Sequence, residues 1–181
     1  IGPGTRLAME DAVALAKDTN QSVEDRTRAT AIAANGDAAD IERLVHELVQ
    51  PAQPQPVQSA AVWAAAQANV PTAWQDLFRG WSGHTTSTRA VMLVQAVRSA
   101  AGTEALVSAL ETDILSAQEL SSSTREVLGQ LHDESWRRRV QPILAAALPV
   151  DRTEALARYA GIVDRHGDAA RAGRVVVRGD V

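Results

Sequence analysis

Trp74, Asp76, Phe78, Arg79 and Trp81 crowd into one short segment, with His84 just beyond. Three aromatic rings, a carboxylate and a guanidinium could form a groove that holds a flat ring against an aromatic wall and clamps a charged group beside it. The aromatics also keep the i, i+4, i+7 spacing of a buried helix face, and core packing is the reading that spacing favours. Trp74, Asp76, Arg79 and Trp81 therefore stand as surface-groove candidates, weighed against a core helix. His46, His84, His132 and His166 are far apart in sequence, and none is joined at i, i+4 by a second metal-ligating residue on an apolar-walled face. They read as surface histidines rather than ligands. Glu42–His46 and Arg43–Glu47 read as ordinary i, i+4 helix pairs. Arg137-Arg138-Arg139, next to Asp133 and Glu134, reads as a solvated face. Ser121-Ser122-Ser123 reads as a helix cap. Arg178-Gly179-Asp180 is too short a match to the integrin-binding tripeptide to carry meaning. No phosphate-binding glycine loop and no nucleophile elbow occurs.

These residues sit in a chain of 181 positions, 45% apolar and only 3% aromatic, with alanine at 34 of them. Alanine has the highest helix propensity of any residue, so this composition argues for an all-α protein. With no cysteine, thiolate nucleophiles, iron-sulfur clusters, cysteine zinc sites and covalent haem attachment are excluded for these residues. The net charge of -4 and a pI near 5.6 argue against nucleic acid as a partner, because phosphate neutralisation needs a basic footprint. No apolar run is long enough to span a bilayer, and no membrane insertion is expected. The start, Ile1-Gly2-Pro3-Gly4, has neither an initiator Met nor a basic stretch leading into an apolar one, and reads as a fragment or a processed chain.

Helical periodicity divides the chain into about ten helices, near 5–18, 23–35, 38–49, 56–68, 72–81, 87–99, 104–112, 123–131, 133–147 and 151–165, with a short turn at Ser116–Leu120. Thr5, Ser22, Ser87, Thr103, Ser123, Asp133 and Asp151 stand where N-caps are wanted. Gly36, Gly83, Gly102 and Gly167 stand where left-handed C-terminal residues are wanted. Ile41, Leu44, Val45, Leu48 and Val49 make the clearest apolar stripe. Ala90, Leu93, Val94 and Val97 make another, as do Trp136, Val140, Ile143 and Leu144, and Leu156, Tyr159, Ala160 and Val163. Val57, Ala60, Ala61, Ala64, Ala65 and Ala68 form a face of small residues that lets neighbours approach closely, which predicts a central helix. Pro142 should kink or break its helix. Pro51–Pro56 reads as an extended connector, and Arg174–Arg178 is the one strand-like run. Ser87-Thr88-Arg89 recurs as Ser123-Thr124-Arg125, while Asp25-Arg26-Thr27-Arg28 and Pro56-Val57-Gln58 open earlier helices at similar steps. A period in this range with two helices per unit predicts an α-solenoid.

The segment Asp25-Arg26-Thr27-Arg28-Ala29-Thr30-Ala31-Ile32-Ala33-Ala34 resembles the helix opening of HEAT-like repeats. From Thr103 the order Ile114-Leu115-Ser116-Ala117-Gln118-Glu119-Leu120, Arg125-Glu126-Val127-Leu128, Arg137-Arg138-Arg139-Val140 and Arg165-His166-Gly167-Asp168-Ala169-Ala170-Arg171 continues it. That order is similar to the HEAT-like region upstream of the c-type cytochrome domain in planctomycete-type membrane-bound dehydrogenase and haem-binding proteins. The resemblance covers Val57 to Arg174. Ala172 intrudes before Gly173, Val175–Val177 replace the usual aromatic, and no Cys-x-x-Cys-His follows, so no haem ligand carries over.

The resemblance implies a right-handed α-solenoid of HEAT-like helix pairs over residues 1–167 and a linker over 168–181. It also implies an exported, periplasmic setting as part of a larger redox protein cut, or diverged, before its haem segment. The expected role is a non-catalytic scaffold and docking body with a protein partner and no cofactor in this chain. The enzyme alternative is a HEAT-like DNA glycosylase, drawn from fold analogy alone, with Trp74, Asp76, Arg79 and Trp81 around a modified nucleotide. A free-standing protein-protein adaptor is the third reading.

Overall fold

A computed structural model describes residues 3–147, which fold as nine α-helices and two 3-10 turns with no strand among them. The first four helices are α1 (Pro3–Lys17), α2 (Val23–Ala33), α3 (Ala38–Leu48) and α4 (Gln55–Ala68). After α5 (Pro71–Arg79) a 3-10 turn at Trp81–Gly83 leads into α6 (Thr86–Ala96) and α7 (Ala100–Glu111). A second 3-10 turn, Ala117–Glu119, precedes α8 (Ser122–Gly129) and α9 (Glu134–Ala146). Among the described residues no single helix is long and apolar enough to cross a membrane. The expected helix over 151–165, the strand-like run at 174–178, the boundary at 167, and the sites at Asp151, His166 and Gly167 lie outside the described residues.

The helices keep the company of alternate neighbours. α1 lies on α3, α3 on α5 and α5 on α7, while α2 lies on α4 and α4 on α6. The pairs α1–α2, α3–α4 and α6–α7 join one row to the other. α4 is the centre, as its small-residue face predicts: Val57, Ala61, Val62, Ala64 and Ala65 are all fully buried. Ile41, Leu44, Val45, Leu48 and Val49 are buried on α3, and Met92, Leu93 and Leu106 complete the core beyond α4. Val94 and Ala90 depart from the expected stripe on α6. They face outward, and Thr88, Met92, Leu93 and Ala96 form the buried side instead.

One polar residue near the start of each even-numbered helix is buried: Arg26, Gln58, Thr88 and Thr124. Arg26, Gln58 and Thr88 link neighbouring helices, while Thr124 bonds the Ser121 hydroxyl that caps its own helix. Arg26 donates from Nε to the Ala16 carbonyl at 2.9 Å and from its terminal nitrogen to Gln53 at 2.7 Å. Gln58 donates to the Gln53 carbonyl at 2.7 Å and accepts the Thr88 hydroxyl at 2.5 Å. Most buried polar groups are hydrogen-bonded, and the recurring Arg-Thr, Val-Gln and Ser-Thr openings in the sequence mark these positions.

Cap positions need several corrections. Ser22 caps α2 as expected, but α1 begins ahead of Thr5, α6 is capped by Thr85 rather than Ser87, and α8 by Ser121 rather than Ser123. Ser99 caps α7, and Thr103 lies inside that helix, buried, with its hydroxyl donating to the Ala96 carbonyl at 3.2 Å. No described glycine has positive φ, and the left-handed positions belong to Asn69 (φ 52°) after α4 and Asp113 (φ 55°) after α7. Short polar side chains tolerate that conformation. Gly102 is required for a different reason: a Cβ there would meet the Ala96 carbonyl oxygen at 2.6 Å, where α6 and α7 turn tightly against each other. α9 runs through Pro142 unbroken. Pro142 is exposed, so the one ladder bond it removes lies toward solvent, where water can replace it.

Candidate functional site

Trp74 and Trp81 do not form a groove wall. They are 0% and 4% exposed, stacked through Phe78 with centroid distances of 6.0 and 5.9 Å. The i, i+4, i+7 spacing has produced a core face, because a helix lying between α3 and α7 must bury its large side chains. The Arg89 guanidinium covers Trp81 at 5.3 Å, and the Trp81 indole donates to Glu119 at 3.2 Å. Asp76 and Arg79 pair with each other on the exposed side of α5. A glycosylase site would need both tryptophans exposed beside that pair, and the structure does not bring the four together.

Clefts open between successive odd-numbered helices. Between α5 and α7 a groove of about 560 Å³ is lined by Gln75, Phe78, Arg79, Glu104, Ser108 and Ile114 among others. Between α3 and α5 a cleft of about 320 Å³ is lined by Glu42, His46, Asp76 and His84 among others. Among the described residues no group of three His, Asp or Glu side chains is placed to hold a metal. His84 is half-buried rather than a surface residue: its Nε2 lies 3.2 Å from the Leu77 carbonyl, whose oxygen would otherwise be left open at the end of α5. A carbonyl can only accept, so Nε2 carries the proton. Burial lowers the His84 pKa, and Nδ1 has no partner for a second proton.

The acidic residues expected to pair within α3 reach to neighbouring helices. Glu42 accepts the Thr72 hydroxyl at 2.6 Å, Glu47 accepts Lys17 at 2.7 Å, and Arg43 turns to Asp40. The arginine triplet is likewise more than a solvated face. Arg139 bridges α9 to α7, bonding Glu104 at 2.9 Å and Glu111 at 2.7 Å, while Trp136 donates to Glu104 at 2.7 Å. Hydrogen bonds from Arg139 hold both carboxylates below their ordinary pKa and raise that of Arg139 itself.

The large apolar side chains left uncovered on the even-numbered helices are the feature that the sequence reading missed. Ile32, Trp63 and Val94 are 50%, 41% and 52% exposed, one on each of α2, α4 and α6. They are spaced 31 residues apart. Asp25 and Arg28 on α2, Pro56 on α4, and Ser87 and Ala90 on α6 keep the same step and are also exposed, while Ser59 at the matching place on α4 is half-buried. α4 contains no charged residue. The available signal was that step, together with an alanine-rich helix carrying one Trp opposite its small-residue face. No protein-family model matches this chain, and no curated protein or solved structure matches it significantly.

Proposed function

We propose that the chain is a non-catalytic helical-repeat body, a right-handed α-solenoid of HEAT-like helix pairs, that holds neighbouring domains apart and presents one face to a protein partner. The supporting observation is the recurrence of equivalent positions: a buried polar residue and an outward apolar residue on successive even-numbered helices, with odd helices lying on odd and even on even. Such a stack is stabilised by nearest-neighbour contacts and gives an extended surface rather than an enclosed site. Within this reading the resemblance to planctomycete-type redox proteins puts a c-type cytochrome domain after Val181 in an exported parent protein. A free-standing adaptor would use the same body without that neighbour.

The test is the reading frame that encodes the chain. A Cys-x-x-Cys-His soon after Val181, with a haem absorption band that survives denaturing extraction of the longer protein, supports the spacer role. A frame without that motif removes the cytochrome neighbour and leaves the adaptor. Native-state hydrogen exchange tests the stack itself: helix pairs should open stepwise from the ends toward α4, whereas one exchange free energy for all helices argues against it.

A further inference from the structure

We infer that Asn35 is a site of spontaneous covalent modification, deamidated by attack of the Gly36 backbone nitrogen on its side-chain amide when the last turn of α2 opens. The inference goes beyond the scaffold reading and stands on the end of one helix, so the failure of either leaves the other in place.

The chain has three asparagines, Asn20, Asn35 and Asn69, and only Asn35 is followed by glycine. A five-membered ring closes when the nitrogen of the next residue reaches the asparagine Cγ. Glycine allows this best, because no Cβ shields its nitrogen or limits its backbone. The fold restrains the other two asparagines. Asn69 holds a left-handed conformation, its side-chain oxygen accepts the Ala101 N–H at 2.8 Å, and the buried, β-branched Val70 follows it. Asn20 donates from its backbone and side-chain nitrogens to one Asp18 oxygen at 2.9 and 3.0 Å, and that carboxylate opposes an anionic nucleophile beside it. Asn35 is exposed, and its Nδ2 donates to the Ile32 and Ala31 carbonyls at 3.2 and 3.4 Å, at and beyond the usual limit for such a bond. One 2.9 Å bond, from the Gly36 N–H to the Ala33 carbonyl, holds the nucleophile, and helix ends are where such bonds open at least cost.

Hydroxide removes the Gly36 N–H proton, and the nitrogen forms a bond to the Asn35 Cγ. The Cγ–Nδ2 bond breaks, and ammonia leaves with a proton taken from water, giving a succinimide. Water then opens the ring at Cγ to give aspartate, or at the backbone carbonyl of residue 35 to give isoaspartate. Either product replaces an amide donor by a carboxylate at the C-terminal end of α2, where the helix carbonyls disfavour negative charge and Asp37 follows. Of the other charged groups on the cleft that Gly36 lines, Arg6 and Glu10 are opposite in sign and Asp40 pairs with Arg43. Isoaspartate also adds one carbon to the backbone of residues 34–37, the joint between α2 and α3. Modification therefore loosens that joint.

The experiment ages the purified 181-residue chain in mildly alkaline buffer, native and in guanidinium chloride, and reads its peptides by mass spectrometry, with isoaspartate detected by enzymatic methylation. In the native chain the Asn35 peptide should take on the mass of the acid at least about tenfold faster than the Asn20 and Asn69 peptides, and isoaspartate should accumulate in it. Denaturant should speed the Asn35 reaction about tenfold by removing the restraint of the helix end. Gly36→Ala should slow it about tenfold in guanidinium chloride, where folding of the variant plays no part. Hydrogen exchange in the converted native chain should quicken at the end of α2 and stay unchanged in α4. A native chain that keeps Asn35 while the denatured chain loses it overturns the inference. So does aspartate without isoaspartate, equal conversion at all three asparagines, or a Gly36→Ala rate equal to the wild type. Unchanged exchange at the end of α2 overturns the loosening of the joint.

Discussion

The stack from α1 to α7 and the junction that attaches α8 and α9 are built on different physics. In the stack, alanine and small polar residues let helices come close, and the contacts are buried: α4 alone buries six of its residues. At the junction, α8 buries only Thr124 and Leu128, and α9 only Val140. There, Arg139 and Trp136 reach across to Glu104 and Glu111 instead. Close helices are held by excluded water and dispersion, whereas helices joined by long side chains rely on exposed ion pairs, each worth about 0.2–1 kcal/mol and weakened by salt. The two regions should therefore differ in how they respond to cavities, added methyl groups, salt and acid.

The largest effect belongs to the stack. Phe78→Ala removes the ring between Trp74 and Trp81 and should cost about 3–5 kcal/mol of unfolding free energy, measured by urea denaturation. A loss below about 1 kcal/mol would mean that the aromatic column is not part of the core. Gly102→Ala should come next. Ala is favoured over Gly within a helix by roughly 1 kcal/mol, but the new methyl would lie 2.6 Å from the Ala96 oxygen and 2.7 Å from its Cα. Both atoms are backbone and cannot swing aside, so a net loss of about 1–3 kcal/mol is expected.

Arg139→Met tests the junction. It leaves Glu104 and Glu111 exposed to solvent and should cost about 1 kcal/mol, with the loss shrinking in high salt. Hydrogen exchange should quicken in α8 and α9 while α4 stays protected. Acid should separate the regions further. Arg139 hydrogen bonds lower the Glu104 and Glu111 pKa values from 4.5, so their stabilisation is complete above that value and is lost as pH falls below it. His84 works in a higher window. Burial lowers its pKa from 6.5, so below 6.5 the unfolded chain binds a proton that the folded chain refuses, and the stack weakens as pH falls toward the lowered value. Melting temperatures from about pH 7 to about pH 5 should show this loss. His84→Gln, whose amide nitrogen can take the place of Nε2 and still donate to the Leu77 carbonyl, should remove it and leave the loss at lower pH unchanged.

The helices of the stack could be read from the sequence because one buried face per helix leaves a periodic trace: the spans at 38–49 and 56–68 lie within a residue of α3 and α4. The repeated Ser-Thr-Arg and Val-Gln openings were visible because buried polar residues recur at repeat spacing. The caps were less legible, since hydroxyl residues follow one another in Thr85–Thr88 and Ser121–Thr124 and only tertiary packing decides which of them turns inward. The orientation of the aromatic column was ambiguous for a related reason. Helical spacing says that Trp74 and Trp81 share a side with Phe78, but it does not say which neighbour covers that side. Arg139 was misread because its acidic partners come from α7, about one repeat earlier in the chain, where no local pattern points to them.

The smallest effect separates the two regions by sign. Gly129 closes α8, and a Cβ built there meets nothing within 4 Å. Gly129→Ala therefore gains helix propensity and reduces unfolded-chain entropy with no steric cost, and should stabilise the protein by about 0.5–1 kcal/mol. The same chemical change at Gly102 should destabilise it. A shared sign would mean that α6 and α7 approach no more closely than α8 and its neighbours, and the contrast between a close-packed stack and a bridged junction would fail at the position where it is sharpest.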